Sequence, residues 1–544
     1  MFGLMQDVPL TVDRIIDHAA AWHGAREVVS RDAAGLVTRS SYAAVHADAK
    51  RVSNALLRAG VQPGDRVATL GWNGARHLAA WYGIVGIGAV CHTLNPRLFQ
   101  EQIGYIAAHA GDSFLFADPA CADIVAALLP AVPSIRQVVF LCAPEALPAT
   151  PYPAVAFDDW IAGEGTDCAW GGFDERTACG LCYTSGTTGN PKGVLYGHRS
   201  NYIHALMTLQ ADALALSARD TVLLVVPMYH ANAWGVVYSA PAVGAKLVLP
   251  GQRMDGASLH RLIEEEGVTY SAAVPTVWQS LLQHVRETGG RFSTLKRVTI
   301  GGSACPESII RAFRDDYGVD VVQGWGMTET SPLATVSVPS AAVAAMDGDA
   351  QLAFKLKQGR LLCGLELKLA DDDGRRLPHD GRTAGRLMVK GPTIASGYYR
   401  GDGGEVLDDE GFFDTGDVST IDPQGYMQIT DRAKDIVKSG GEWISSIEVE
   451  NIATGHPKVA CAAVIGVAHP KWDERPILLV ELNPGETAEP DEFRAFLDGK
   501  IARWWMPDDV LLVDAIPLGA TGKIDKKAIR AGLTGYTLPF EVER

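Results

Sequence analysis

Between residues 174 and 330 the chain alternates short apolar runs rich in Val, Ile, Leu and Ala with longer stretches whose apolar positions recur every three or four residues. The short runs at 178–184, 221–226, 245–249, 269–274, 297–300 and 319–323 predict strands. The stretches at 199–216, 255–267, 275–287 and 306–317 predict helices between them. Such alternation implies a mainly parallel sheet covered by helices, with ligands bound at loops beyond the strand ends. Three glycine-bearing segments follow strands in this region: 184–193, Gly301-Gly302-Ser303 and Gly324-Trp325-Gly326.

The N-terminal third repeats the pattern, with an amphipathic helix at 42–59 and a strand at 65–70. The longest apolar stretch, 78–94, is broken by Gly83, Gly86, Gly88 and His92 and is shorter than the roughly 20 residues of a membrane helix. It predicts a buried helix leading into a strand. Around 361–428 the pattern changes to short, glycine-punctuated strands, expected as a small β subdomain. A charged bridge, Asp431-Arg432-Ala433-Lys434-Asp435, separates this from a compact α/β unit at 445–504 and beyond. The expected fold class is α/β. A large N-terminal domain (1–430) of helix-covered, mainly parallel sheets carries the β subdomain, a hinge spans 431–435, and a small mobile C-terminal domain spans 436–544. No internal repeat or low-complexity segment is evident.

With 544 residues, 47% hydrophobic and 21% charged, the chain has ample material for large cores. A formal net charge of -16 argues against general affinity for nucleic acid or anionic membranes, while leaving small anionic ligands open. Nine cysteines in so long a chain do not form a disulfide framework, and a reducing cytoplasm fits best. Cys179 and Cys182 form a C-x-x-C inside an apolar run, where they read as buried strand cysteines rather than a redox pair. Residues 1–10 lack a basic segment and carry Asp7, so no secretory signal is expected, and the C-terminus matches no lipidation or peroxisomal signal.

Tyr183-Thr184-Ser185-Gly186-Thr187-Thr188-Gly189-Asn190-Pro191-Lys192-Gly193 concentrates hydroxyls, glycines and one lysine. Glycines let backbone N–H groups curl around an anion, hydroxyls add donors, and the lysine adds charge without a fixed geometry. A Walker A loop requires Gly before Lys and Ser or Thr after it. Here Pro191 precedes Lys192 and Gly193 follows, which disfavours a P-loop ATPase. The three glycine-bearing loops are expected to converge on one nucleotide.

Eight ordered motifs resemble the adenylate-forming superfamily of acyl-CoA synthetases, luciferases and adenylation domains, most of all its medium- and long-chain fatty acyl-CoA synthetases. They are the phosphate loop, 226–234, 301–306, 323–329, Thr415-Gly416-Asp417, 431–435, 438–443 and Gly522-Lys523. The resemblance implies that Thr184, Ser185, Gly186, Thr187, Thr188, Gly189 and Lys192 hold the ATP phosphates. It implies further that Gly302, Gln323, Gly324, Trp325 and Thr328 seat adenine, ribose and α-phosphate, with Trp325 standing where many relatives carry Tyr. Glu329 with the Thr184 hydroxyl would serve Mg²⁺, which favours a few hard oxygens plus substrate phosphates. Asp417 would accept both ribose hydroxyls, and Arg432, Lys434 and Lys438 would contact the nucleotide from the hinge side. Lys523 would be the mobile catalytic lysine. Ala231, Trp234 and the 438–443 segment with Gly440, Gly441, Glu442 and Trp443 would border the acyl and pantetheine path, with Trp234 gating it. His230 would orient the carboxylate, which at neutral pH is already ionised and needs no base.

The implied activity is a two-step ligation using ATP, Mg²⁺ and coenzyme A. A carboxylate attacks the α-phosphate to give acyl-AMP and pyrophosphate, and the CoA thiol then displaces AMP, with the C-terminal domain swinging about Asp431-Arg432 between steps. A medium- or long-chain fatty acid is the expected substrate. The alternatives are a short or sulfur-containing acid such as 3-methylthiopropionate, an acyl-AMP ligase loading a carrier protein and, from another class, a non-catalytic nucleotide or lipid sensor. The partners are the acid, ATP and CoA, with no nucleic acid and no membrane span; family precedent suggests a homodimer.

Overall fold

A computed structural model describes residues 1, 3–32, 35–184, 190–432, 434–439, 442–519 and 523–539, with the side chains of 442 and 443 left out. Two large sheets carry the N-terminal part. One has seven strands in the order Val155–Ala156, Val138–Phe140, Phe114–Ala117, Arg66–Leu70, Val90–Leu94, Ala178–Tyr183 and Gly193–Gly197. Its pairs are parallel except the last, where Tyr183 faces Gly193 in antiparallel register. The other has nine strands, running from Arg360–Leu361 through Leu333–Val336, Asp320–Gly326, Arg297–Ile300, Tyr270–Ala273, Thr221–Leu223, Lys246–Leu249 and Glu27–Arg31 to Val37–Ser41.

The alternation at 174–330 therefore does not build one sheet. Ala178–Tyr183 pairs with Val90–Leu94, while Thr221–Leu223 onward joins the nine-stranded sheet. Periodicity identifies strands but not their partners, because each run is apolar on both faces and fits the middle of either sheet.

Helices pack between the sheets in the main core. Helix Tyr42–Arg58 begins where the Ser41 hydroxyl accepts the Ala44 N–H at 3.3 Å and buries Val45, Ala49, Val52 and Leu56. Helix Ala75–Gly86 lies against it and is tied to helix Val236–Val243, since the Trp81 indole donates to the Tyr238 hydroxyl at 3.0 Å and the Tyr82 hydroxyl to the Val237 carbonyl at 2.8 Å. The helix predicted at 199–216 spans His198–Thr208. The Thr208 hydroxyl donates back to the Ala205 carbonyl at 3.0 Å, and the Thr208 carbonyl accepts from Leu214, which turns the chain out of the helix.

The β subdomain is a four-stranded antiparallel sheet of Glu366–Ala370, Gly385–Lys390, Phe413–Ile421 and Met427–Arg432. Beyond it, the long hairpin Val459–His469 and Asp473–Leu482, with Asp509–Val513 in parallel beside it, forms a separate sheet with its own cluster around Val449, Val464, Leu478 and Phe493. Asp431 binds into this unit, its Oδ2 accepting the Ser446 N–H at 2.7 Å, and Arg530 pairs with Asp435 at 2.8 Å. Cys179 and Cys182 are buried free thiols on their strand.

Candidate active site

The phosphate segment closes the antiparallel hairpin Ala178–Tyr183 and Gly193–Gly197, with the Thr184 N–H donating to the Lys192 carbonyl at 2.9 Å. Ser185, Gly186, Thr187, Thr188 and Gly189 lie outside the described residues. The hairpin is joined to the next motif by the Tyr196 hydroxyl, which donates to the Thr328 carbonyl at 2.7 Å.

Strand Asp320–Gly326 carries Gln323, Gly324 and Trp325 to the same place. Trp325 is buried, and its indole N–H donates to Asp417 Oδ2 at 2.9 Å. Arg432 Nε lies 3.3 Å from Asp417 Oδ1. A carboxylate has about four acceptor directions, so these two contacts orient Asp417 and leave capacity for two hydroxyls. Asp417 is presented by strand Phe413–Ile421, in which Thr415 Oγ1 donates to the Leu387 carbonyl and accepts the Asp417 N–H. The Gln323 side chain is spent within the protein, accepting the Cys305 N–H at 3.2 Å and donating to the Lys355 carbonyl at 2.8 Å. Its backbone is engaged as well, the N–H donating to Ser337 Oγ at 2.7 Å and the carbonyl accepting the Ser337 N–H at 2.8 Å.

Glu329 sits in the short turn Thr328–Thr330 and is buried; its Oε1 accepts the Tyr398 hydroxyl at 2.7 Å. Burial pushes its carboxyl above the ordinary range, opposed by the Tyr398 hydrogen bond and the Arg432 charge. Asp417 is likewise raised by burial and held down by Arg432, the Trp325 N–H and Lys523. Lys523 is pushed down to about 8 by burial and the Arg432 charge, with Asp417 and Glu329 opposing. Two carboxylates and two cations thus share one electrostatic neighbourhood, and Lys523, from the far end of the chain, is among them.

Gly302 marks where the parts meet. A Cβ added there would stand 3.1 Å from Val274 Cγ1 and 3.6 Å from both Lys523 Cε and Trp234 Cζ2, and its φ is +83°. The Trp234 ring lies closer still to Gly301, where an added Cβ would stand 3.2 Å from Trp234 Cη2 and 2.9 Å from the Gly324 carbonyl oxygen. Glycine is required by both conformation and approach.

The segment leading to Trp234 is unusual. Ala231, Asn232, Ala233 and Trp234 have φ of 36°, 57°, 50° and 55°, one left-handed turn ending at Gly235 with φ 79°. Left-handed helix costs an L-residue about 1–2 kcal/mol each, so the surroundings must impose it. Buried Asn73 does part of this, donating to the Leu224 and Val226 carbonyls at 2.7 and 2.9 Å and accepting the Met228 N–H at 2.7 Å. Asn232 donates to Asn201 Oδ1 at 3.2 Å. His230 is pushed down to about 3 by burial and by the charges of Lys523 and Arg97. It is a neutral imidazole at neutral pH, beside Lys523 and suited to orienting an anion by a single N–H.

Lys434 and Lys438 are exposed at the start of the C-terminal unit. The 438–443 segment is a hairpin pairing Lys438 with Trp443 and Ser439 with Glu442. Gly440, Gly441 and the side chains of Glu442 and Trp443 lie outside the described residues.

Sequence reasoning missed Asn73 and Tyr398. Asn73 carries no local signal, since its partners lie some 150 positions away. Tyr398 had one, an aromatic pair bracketed by Gly397 and Gly401 in a subdomain otherwise read as scaffold.

Mg²⁺ tends to keep waters and bind one or two carboxylates plus substrate phosphates. Among the described residues no group of three or more His, Cys, Asp or Glu is placed to hold a metal. Glu329 as a single buried carboxylate beside the phosphate hairpin fits an ion delivered with nucleotide phosphates.

Residues 16–399 match the profile described as AMP-binding enzyme, and residues 448–523 that of the AMP-binding enzyme C-terminal domain. A 3-methylmercaptopropionyl-CoA ligase of Ruegeria lacuscaerulensis is 49% identical over 531 residues, covering 97% of this chain and 98% of the relative. A medium-chain-fatty-acid–CoA ligase of Ectopseudomonas oleovorans is 48% identical over 532 residues, covering 97% of each. The solved anthranilate CoA ligase AuaEII in complex with anthranoyl-AMP superposes with a TM-score of 0.85 at 24% identity, covering 97% of this chain and 99% of that one, a likeness that carries the fold alone.

Proposed function

We propose, from the premise that this chain belongs to the AMP-binding enzyme family, that it is an AMP-forming acid–CoA ligase acting on a medium- or long-chain fatty acid. The observation that carries the reading is Lys523, held beside Gly302, Asp417, Glu329 and Arg432 although it arises in the C-terminal unit. That placement supports a reading of the first half-reaction. The acid's carboxylate oxygen attacks the ATP α-phosphorus, the bond to the β-phosphate bridging oxygen breaks, and pyrophosphate leaves. Lys523 would sit between carboxylate and α-phosphate as negative charge shifts, an electrostatic contribution largest in the transition state. Asp417 would hold the ribose hydroxyls, Trp325 the adenine side, and Lys192 with the hairpin backbone the departing pyrophosphate. Mg²⁺, held by Glu329 and Thr184, would offset phosphate charge when bound.

In the second half-reaction the CoA sulfur attacks the acyl carbon and AMP departs with the electron pair of the broken C–O bond. Lys523 has no task there. Rotation about the 431–435 hinge of a 436–544 domain would replace it with the 438–443 hairpin, so Asp431 and Asp435, anchored to Ser446 and Arg530, are the contacts that must turn or break. Free cysteines suit a reducing cytoplasm, and no described helix is long and apolar enough to cross a membrane. Homodimerisation rests on family precedent.

A short sulfur-containing acid is the second reading, favoured by the likeness to the 3-methylmercaptopropionyl-CoA ligase. An acid panel from C2 to C18 with aromatic acids and 3-methylthiopropionate, assayed by AMP release with CoA, decides between them. Highest kcat/KM at C6 or longer supports the first, a maximum at methylthiopropionate the second, and no acid-dependent AMP with any member rejects both.

A further inference from the structure

The segment from Thr393 to Gly404 leaves the β subdomain, crosses to the phosphate hairpin and returns. Its Ala395 N–H donates to the Glu329 carbonyl at 2.8 Å, and the next contact is the Tyr398 hydroxyl on Glu329 Oε1. The other part of the same side chain faces the hairpin, with Lys192 Nζ 4.9 Å from the centroid of the Tyr398 ring. A Cβ added to Gly403 would fall 2.5 Å from Lys192 Nζ, so the ammonium lies between the Tyr398 ring and the Gly403 backbone. Glycine leaves room for it.

The segment is fastened on both flanks. Tyr399 packs edge-on against His109 with centroids 6.0 Å apart, and Asp402 lies 3.6 Å from His109 Nε2. His109 Nδ1 in turn is 2.6 Å from the Tyr183 hydroxyl, on the residue preceding Thr184. Arg400, Gly401, Gly403 and Gly404 all have positive φ, with Arg400 at 60°. Strained non-glycine backbone of this kind persists where the surroundings over-determine it.

Resting on the nucleotide reading above, we propose that Tyr398 is a positioning residue for the phosphate end of the site, its ring holding Lys192 and its hydroxyl holding Glu329. A phenol suits this because it is neutral. It attracts a cation at its face and donates to a carboxylate at its hydroxyl, so it holds both without cancelling either. Lys192 and Glu329 do not pair with one another among the described residues. A direct ion pair would satisfy each charge internally and leave less of either for the phosphates and their cation.

Two variants separate the ring from the hydroxyl. Tyr398→Phe keeps the face on Lys192 and removes the hydrogen bond to Glu329; Tyr398→Leu removes both. ATP binding is measured calorimetrically with Mg²⁺ and with EDTA, alongside adenylate formation, thioester formation from supplied acyl-AMP, and the melting temperature. In Tyr398→Phe the gain in ATP affinity that Mg²⁺ confers falls about tenfold, the scale of one hydrogen bond to a charged group. Binding in EDTA stays within about twofold, and thioester formation is unchanged. Tyr398→Leu adds a further loss of about two- to fivefold in EDTA, the scale of an exposed cation–π contact.

The proposal is overturned if folded Tyr398→Phe matches wild type in Mg²⁺-dependent ATP binding, or if both half-reactions fall together with the melting temperature, which is the mark of a structural role alone. If Tyr398→Leu does not fold, the Phe variant still decides. Wild-type protein that binds MgATP but forms no acid-dependent AMP would refute the ligase reading and leave the positioning claim to the calorimetry.

Discussion

The two halves of the candidate site are held in opposite ways. Around the proposed nucleotide seat, side chains hold side chains: Trp325 on Asp417, Arg432 on Asp417, Tyr398 on Glu329. At the proposed acyl side the backbone itself is forced, through the left-handed turn Ala231–Trp234, and Asn73 braces the segment before it. Buried hydrogen bonds to charged groups fix a side-chain geometry, whereas left-handed backbone persists only while the packing around it over-determines it, so its path depends on its neighbours. The contrast suits an enzyme that always takes the same nucleotide and whose relatives take acids as different as methylmercaptopropionate and medium-chain fatty acids.

The largest effect is expected where both halves meet. Lys523→Ala should lower adenylate formation by about a hundredfold or more, the scale of one lost electrostatic donor, while thioester formation from supplied acyl-AMP persists. Equal losses in the two half-reactions would deny Lys523 a role confined to the first.

Next comes pH. With Lys523 at about 8 in the free protein, the competent ammonium is fully present below that value and is lost as pH rises through it. The kcat/KM for adenylation, which reports the free enzyme, should fall about tenfold per unit well above pH 8. Lys523→Arg should abolish that limb, and a profile flat to pH 9.5 in wild type would contradict the assignment.

On the nucleotide side, Trp325→Phe keeps a ring but removes the donor to Asp417. The KM for ATP should rise about tenfold with the KM for acid unchanged. A rise confined to the acid would reverse the division drawn between the halves.

The smallest effect on catalysis is expected from Ala233→Val. A β-branched residue at φ 50° in a fully buried position should destabilise the fold by about 2 kcal/mol in denaturant titration. It should also disturb acid selectivity while calorimetric ATP affinity holds. Loss of ATP affinity would mean that the two halves are one rigid body.

Much of the site was legible in the chain because its chemistry is local. The hydroxyl and glycine run of the phosphate hairpin reads as an anion loop within a few residues, whereas Gly324-Trp325-Gly326 and Thr415-Gly416-Asp417 take their meaning from the ordered resemblance to the adenylate-forming superfamily. The β subdomain and the separate C-terminal unit followed from changes in pattern and are borne out by their own sheets. Gln323 shows the limit of such reading. Its residue type suited a ligand contact, yet its amide bonds Cys305 and Lys355.

By itself the amino-acid sequence determined the α/β class, the order of the motifs and an anion-binding loop, since strand and loop propensities and glycine-rich anion cradles are short-range properties; the nucleotide chemistry came with the family resemblance that the motifs carry. Only the tertiary structure decided that Ala178–Tyr183 belongs to the seven-stranded sheet, that Lys523 reaches Gly302, and that Tyr398 stands between Lys192 and Glu329. Those are contacts between residues about 70 to 220 positions apart, and no local preference encodes them. They exist because packing two apolar sheets around shared helices leaves one arrangement in which the buried polar groups find partners.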